Sequence, residues 1–408
     1  MTVTDPARLG ELGVWLRGSP DSPALTLGGR TLSYRQFADE IARLELPASG
    51  SVDASSVDPL RTLTLLYAAI TRGRPVIIAD PAHAVDTIDE PPPGTFLVAV
   101  TSGSSGHPRP VARTAASWTD SFAPLAELAG LRATDTVGLT GPLHSTLHLF
   151  GAMHTLWLGA HLTEATSEAT AVHCVPTVLM SLLATRPSRL RSAVVAGAAL
   201  PDHVTKTATA QGISLLEYYG ATELSFVAAR QVPRPMRAFP GVELDLRSGV
   251  LWSRSPYTSL GYVGVDGPLL VDAEGFATVG DLATLSSDGD LIVRGRSDAA
   301  ILTGGSTVIA EDVESVLMSL PGVRSAAVVG RPHPRLGQVV IAVLQLATDT
   351  DIATVRALAR RSLRAEALPR RWHAVDKMPT TSTGKVARTL VARGIADGSL
   401  LTRPAIKS

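Results

Sequence analysis

Three short apolar runs, Val137-Gly138-Leu139, Val172-His173-Cys174-Val175 and Ala193-Val194-Val195-Ala196, recur between helix-like stretches such as Val178 to Ala184. Unbroken apolar runs suit strands buried on both faces, and strand–helix alternation is the pattern of βα units in a parallel sheet. The pattern extends over residues 115–230 and constrains the fold more than any other feature. Ahead of it, Thr31 to Phe37 reads as a strand end feeding a helix capped by Ser33. Leu63 to Ile70 reads as a helix, Pro75 to Ala79 as a buried strand, and the Pro-rich stretch Asp89 to Gly94 as a loop.

Between residues 240 and 300 the texture changes to short alternating strands with Asp-Gly turns, as in Ser286-Ser287-Asp288-Gly289-Asp290. It changes again after Gly295-Arg296-Ser297-Asp298. Glu311 to Leu320 is an amphipathic helix with Val313, Val316, Leu317 and Leu320 on one face. Strands Ala326 to Val329 and Val339 to Leu346 follow, then a basic helix from Ile352 to Ala365. The expected fold is an α/β large domain, with parallel-sheet subdomains plus a small antiparallel β unit, over residues 1–297. A small α+β C-terminal domain over residues 298–408 completes it.

Composition narrows the function. Lys+Arg and Asp+Glu both number 37 in 408 residues, a balance that favours neither nucleic acid nor an anionic membrane as partner. The single cysteine, Cys174, excludes an internal disulfide and a thiolate metal site, and fits a reducing cytoplasm. Asp5, Arg8 and Glu11 do not make a signal peptide, and no apolar segment reaches the roughly 18 residues of a membrane span. A soluble, cytoplasmic protein is expected.

Chemistry concentrates in a few clusters. The apolar run Phe96 to Val100 ends in Thr101-Ser102-Gly103-Ser104-Ser105-Gly106, followed by Arg109. Glycines let backbone N–H groups turn toward an anion, and hydroxyls add donors, so phosphate suits this loop; a plain flexible loop has the same composition. No Gly-Lys-Ser/Thr follows, so it is not a Walker A loop. Tyr218-Tyr219-Gly220-Ala221-Thr222-Glu223 sets an aromatic beside a glycine, suiting a flat base, with a carboxylate suited to a hard cation such as Mg²⁺. A core tyrosine beside a surface glutamate is the plainer alternative. Asp281, in Gly280-Asp281, can accept from vicinal hydroxyls or simply mark a turn. Arg296 and Asp298 flank the compositional boundary, where an interdomain salt bridge is equally at home. Lys385, in Ser382-Thr383-Gly384-Lys385, sits on a Gly-containing loop, where it either meets developing negative charge or is an exposed tail lysine.

In this order the clusters resemble the adenylate-forming (AMP-binding) superfamily, which comprises acyl-CoA synthetases, adenylation domains of nonribosomal peptide synthetases, and luciferases. The resemblance runs over nearly the whole chain, which is a short variant. It also takes in Ala196-Gly197-Ala198-Ala199-Leu200 and the stretch Gly249 to Tyr262. It implies an enzyme that joins a carboxylate to ATP, giving acyl-adenylate and pyrophosphate, and then passes the acyl group to a thiol. Carried over, the resemblance assigns Thr101, Ser102, Gly103, Ser104, Ser105, Gly106 and Arg109 to the β,γ-phosphates. Thr222 falls to the α-phosphate and Glu223 to Mg²⁺. Tyr219, with Gly220 and Ala221, falls to adenine beside Gly197 and Ala198, and Asp281 and Arg296 to ribose. Lys385 becomes the lysine of the first step, Asp298 the hinge of a mobile C-terminal lid, and Gly304-Gly305 the tunnel for CoA. The usual Lys-Gly of the superfamily is Arg109-Pro110 here; Pro110 removes a backbone donor.

The acyl pocket is expected from the stretch Gly141 to Gly151, with His144, His148 and Gly151. The two histidines either bind a second polar group, gate the pocket, or are simply buried in a helix. Amino-acid-activating relatives place an aspartate near this stretch. No acidic residue occurs between Thr140 and Leu162, so a fatty or aromatic acid is expected over an α-amino acid. CoA is the expected thiol. A carrier protein's phosphopantetheine is the alternative, with Arg360, Arg361 and Arg364 as the basic patch that would meet it.

Overall fold

A computed structural model of the chain describes residues 12–82, 88, 90–101, 109–185, 188–296, 300–381 and 384–400, Arg296 by its backbone alone. Ser102 to Pro108 and Asp298, all singled out in the sequence, lie outside the described residues.

The expected parallel alternation is a nine-stranded sheet. Strands Ser214–Ala221, Ser192–Val195, Ala171–Cys174, Thr136–Leu139, His161–Thr163 and Pro23–Leu27 run parallel through its centre. Antiparallel strands Ser225–Gln231, Arg237–Ala238 and Arg30–Ser33 complete its margins. The central runs are apolar because helices such as Thr146–Leu158 and Pro176–Ala184 supply part of the core packed on them. Ser33 caps the helix Tyr34–Arg43 through a reciprocal capping box with Gln36.

A second sheet orders Gly261–Tyr262, Arg109–Arg113, Leu97–Thr101, Val76–Ile78 and Val52–Asp53. Leu97–Thr101 and Arg109–Arg113 form an antiparallel pair with Thr101 opposite Arg109. Pro110, facing Val100 inside this pair, keeps its carbonyl in the ladder by accepting from the Val263 N–H at 3.0 Å. The antiparallel unit expected between residues 240 and 300 is a six-stranded sheet running from Glu243–Arg247 to Leu291–Arg296.

Beyond residue 299 lies a separate five-stranded sheet built on the long hairpin Val323–His333 and Gly337–Leu346. Helices Ala310–Ser319 and Ile352–Ser362 pack with this sheet around their own apolar cluster, which includes Leu317, Val328, Leu344 and Val355. No helix among the described residues is long and apolar enough to cross a membrane.

Candidate active site

The parallel strands deliver the functional side chains at one edge. Open α/β sheets bind ligands outside the carboxyl ends of their strands, where the chain leaves the ladder and backbone groups are free. Thr136–Leu139 leads to Gly141 and His144, Ala171–Cys174 to Val175, Ser192–Val195 to Gly197, and Ser214–Ala221 to Thr222 and Glu223. In the second sheet Val76–Ile78 leads to Asp80 and Leu97–Thr101 to the Ser/Gly connection.

Tyr219, Gly220 and Ala221 are the last three residues of the strand Ser214–Ala221. A bulge falls between Tyr219 and Gly220. A Cβ on Gly220 would meet the Ser225 carbonyl oxygen at 1.9 Å, so only glycine closes this hairpin. The Tyr219 hydroxyl donates to the Asp281 carboxylate, and Asp281 stands opposite Arg296 across neighbouring strands. The three residues expected to hold a nucleoside therefore converge.

Glu223 is buried, and its Oε1 accepts from the Tyr262 hydroxyl at 2.7 Å. Beneath it sits Arg113, a fully buried arginine whose Nη1 donates to the Thr222 carbonyl at 2.5 Å; Nη2 donates to the carbonyls of Tyr257 and Ser117. Burial pushes Arg113 down to about 9, and the Glu223 charge opposes that fall. Thr146 and Thr222 hydroxyls lie 3.3 Å apart, joining the start of the pocket helix to the same turn. A cleft of about 290 Å³ opens beside Tyr262, lined in part by Ser259, Asp266 and Gly267. Arg113 carried a signal that the motif reading passed over: a charge at the end of the buried run Val111-Ala112 must hold several acceptors.

Gly197 and Ala198 occupy an exposed loop, pinned where the Leu200 N–H donates to the buried Glu217 at 3.0 Å. Lys385 reaches this loop from the C-terminal unit. A Cβ on Gly197, itself at φ +91°, would lie 2.6 Å from Lys385 Cε and 3.2 Å from Nζ. The Thr177 hydroxyl donates to the Gly384 carbonyl at 3.1 Å, holding the lysine loop against the large unit. Thr381 closes that loop, donating its N–H to the Lys385 carbonyl at 2.7 Å. Gly304 and Gly305 form the exposed turn of the hairpin Ala300–Thr303 and Ser306–Ile309, and they do not join the Lys385 cluster in this arrangement.

The pocket stretch becomes the helix Thr146–Leu158 and the loop before it. His144 Nε2 lies 3.6 Å from Asp80 Oδ2, so the stretch has an acidic neighbour that its own sequence lacks. The stretch itself carries no carboxylate, as its sequence states; Asp80 comes from the second sheet, 64 positions upstream of His144, and is engaged by that histidine. His148 is buried over Gly141, where a Cβ would come within 2.2 Å of its ring. Gly151 leaves room for His173, which would meet a Cβ at 2.8 Å. Behind them His154 pairs Nε2 with the Phe122 carbonyl at 3.0 Å. Burial pushes His148 and His154 down to about 4, and His173 well below the ordinary histidine value.

An AMP-binding enzyme family model matches residues 52–263, more than half of the chain, and an AMP-binding enzyme C-terminal domain model matches residues 312–385. The chain belongs to the AMP-binding enzyme family. Within that family it is 29% identical to an uncharacterized acyl–CoA ligase, YhfT, of Bacillus subtilis, over 94% of this chain and 90% of the relative. It is also 29% identical to a salicyl-AMP ligase / salicyl-S-ArCP synthetase of Mycobacterium tuberculosis, over 91% of this chain and 72% of the relative. Among solved structures, ATP-bound MatB from Rhodopseudomonas palustris superposes with a TM-score of 0.81 at 19% identity, covering 93% of this chain and 97% of that one. The amide bond synthetase McbA from Marinactinospora thermotolerans gives 0.77 at 22%, covering 95% and 99%. The AMP-binding fold of this chain is thus an α/β large unit with a C-terminal unit against it.

Proposed function

We propose that this AMP-binding enzyme is an AMP-forming acid–CoA ligase that activates a fatty or aromatic carboxylic acid with ATP. In the first step a carboxylate oxygen attacks the α-phosphorus and the bond to pyrophosphate breaks, giving acyl-adenylate. In the second a thiol sulfur attacks the acyl carbon, AMP leaves, and the thiol proton passes to solvent. The observation that carries this reading is the Lys385 side chain lying against Gly197 at the carboxyl edge of the sheet. An ammonium there offsets charge that develops on the phosphoryl oxygens, and holding it in position beforehand spares that cost in the transition state.

The residues present fit a nucleotide. Tyr219, with Gly220 and Ala221, would face adenine beside Gly197 and Ala198; Asp281 and Arg296 would take the ribose hydroxyls. Thr222 would meet the α-phosphate, and residues 101–106 with Arg109 the outer phosphates. Glu223 fits a hard cation, because its buried carboxylate accepts from a neutral hydroxyl and is not ion-paired by it. Bound Mg²⁺ would supply charge neutralisation on the phosphate oxygens. Arg113 would keep the Thr222-Glu223 turn in place.

Residues 1–297 form the body in this reading and residues 298–408 a mobile lid, with Asp298 as its hinge. A turn of the lid would withdraw Lys385 and carry Gly304-Gly305 toward the cleft, where the thiol enters. CoA is the preferred thiol, in keeping with relatives named as acyl–CoA and 2-succinylbenzoate–CoA ligases. A carrier protein is the second reading, in keeping with the salicyl-S-ArCP synthetase and with exposed Arg360, Arg361 and Arg364 on one short stretch of the lid. The reducing compartment implied by a lone buried cysteine is the cytoplasm.

The test is acid-dependent ATP–pyrophosphate exchange across a panel of fatty and aromatic acids, followed by AMP release with CoA or with a phosphopantetheinylated carrier. Exchange with none of the acids would refute the first step. Exchange followed by transfer to a carrier but not to CoA would replace the preferred thiol by the second.

A further inference from the structure

Among the described residues that keep buried side-chain polar atoms without a hydrogen-bond partner, His148 alone has both ring nitrogens in that state. The residue is 2% exposed, so water does not serve the ring either. A doubly unpaired imidazole is costly to bury, and such a group calls for a reason. Its surroundings supply no partner. Gly141 presents only a backbone with no side chain, the Pro142 backbone comes near enough to favour a proton on the ring but falls outside hydrogen-bond geometry, and His144 is turned toward Asp80. The helix brings the ring to the Lys385 side of the pocket: the adjacent Leu147 packs with Val175 and Ala196, and Val175 borders Gly197, over which Lys385 lies. Burial keeps the ring neutral, so it offers one N–H donor and one lone pair.

We infer that His148 determines which acid is taken, by hydrogen-bonding an uncharged polar substituent, a hydroxyl, carried close to the carboxylate. This rests on the proposed function, in which Lys385 marks where the carboxylate is activated; a ring on the helix that packs against the Val175–Gly197 edge would meet the first few atoms of the acyl group. A hydroxyl matches the ring because each can donate to or accept from the other. A second carboxylate does not match, since a neutral imidazole cannot balance a buried charge and His144 is already beside Asp80. A plain acyl chain would leave both nitrogens unpaired in the complex, and a site built around such a group discriminates strongly against a ligand that lacks the partner. The preferred substrates are therefore hydroxy acids rather than their unsubstituted counterparts.

Pyrophosphate exchange with matched pairs tests this: benzoate against ortho-hydroxybenzoate, and hexanoate against β-hydroxyhexanoate. The wild-type enzyme is expected to favour the hydroxy member of at least one pair by about tenfold or more in kcat/KM. His148→Leu should bring that ratio close to unity, and His148→Gln, which still donates and accepts, should restore part of it. No preference in the wild-type enzyme, or a preference that survives His148→Leu in a variant with normal thermal melting, overturns the inference while leaving adenylation intact. If no acid of either pair or of the wider panel supports exchange, the adenylation reading falls and takes the inference with it.

Discussion

The side chain of Lys385 lies across Gly197, close enough that a Cβ on the glycine would come within 2.6 Å of the lysine Cε. Two units with separate apolar cores thus meet at a position where a Cβ would displace the end of the lysine, and the glycine backbone is left-handed as well. Gly197→Ala adds strain of about 1–2 kcal/mol from its φ and forces Lys385 aside. Pyrophosphate exchange should slow tenfold or more, whereas thiol transfer from supplied acyl-adenylate should slow less. Equal losses in both half-reactions would contradict the assignment.

Arg113 ties the Thr222 carbonyl, and with it Glu223, to the second sheet. A buried hydrogen bond to a charged group is worth about 1.5–3 kcal/mol. Arg113→Met should therefore raise the Mg²⁺ concentration needed for half-maximal exchange by about tenfold or more. Arg113→Lys, with a compact ammonium in place of a fork, should recover only part. A lower melting temperature with unchanged Mg²⁺ dependence would mean that Arg113 serves folding alone.

The buried histidines tie stability to pH. Burial lowers His148 and His154 to about 4 and lowers His173 well below the ordinary value, so all three stay neutral in the folded chain where the unfolded chain takes up protons. The unfolded state binds more protons below the ordinary value of about 6.5, so stability falls as pH drops from there toward 4. Each histidine contributes a slope approaching about 1.4 kcal/mol per pH unit within that window. Chemical denaturation between pH 6.5 and 4.5 should show this loss, with a shallower slope in His154→Phe. A slope unchanged by that substitution would contradict it.

Arg388 holds the C-terminal unit together by reaching Glu311 at 2.7 Å and Glu314 at 2.6 Å on the facing helix. Burial alone would lower the arginine, and the two carboxylates more than reverse this; burial raises Glu314 despite its partner. The group is half-buried, so losing the arginine costs less than the roughly 3–5 kcal/mol of a fully buried pair. Arg388→Leu should show an early thermal transition, followed by tryptophan fluorescence of Trp372, with Glu314→Gln in the same chain restoring part of the loss.

The parallel core was legible because Val172–Val175 and Ala193–Ala196 can only be strands buried on both faces, and the Ser33 cap because its Gln36 partner sits three positions on. Tyr219, Asp281 and Lys385 could be named from local pattern, since each stands beside a glycine, needed for a close approach at Gly220 and for a left-handed backbone at Gly280 and Gly384. Arg113 and Asp80 could not be placed so. Their meaning comes from partners 109 and 64 positions away, and no local period encodes contacts made across two sheets. The pairing of His144 with Asp80 similarly depends on how the second sheet docks on the first.

The central claim is that Lys385 acts in adenylation and then leaves. Single-turnover kinetics of Lys385→Ala, measured separately for pyrophosphate release from acid and ATP and for thiol transfer from supplied acyl-adenylate, address it directly. The account predicts a loss of about a hundredfold or more in the first reaction and a transfer rate within a few-fold of wild type in the second. Unimpaired pyrophosphate release in Lys385→Ala would contradict it.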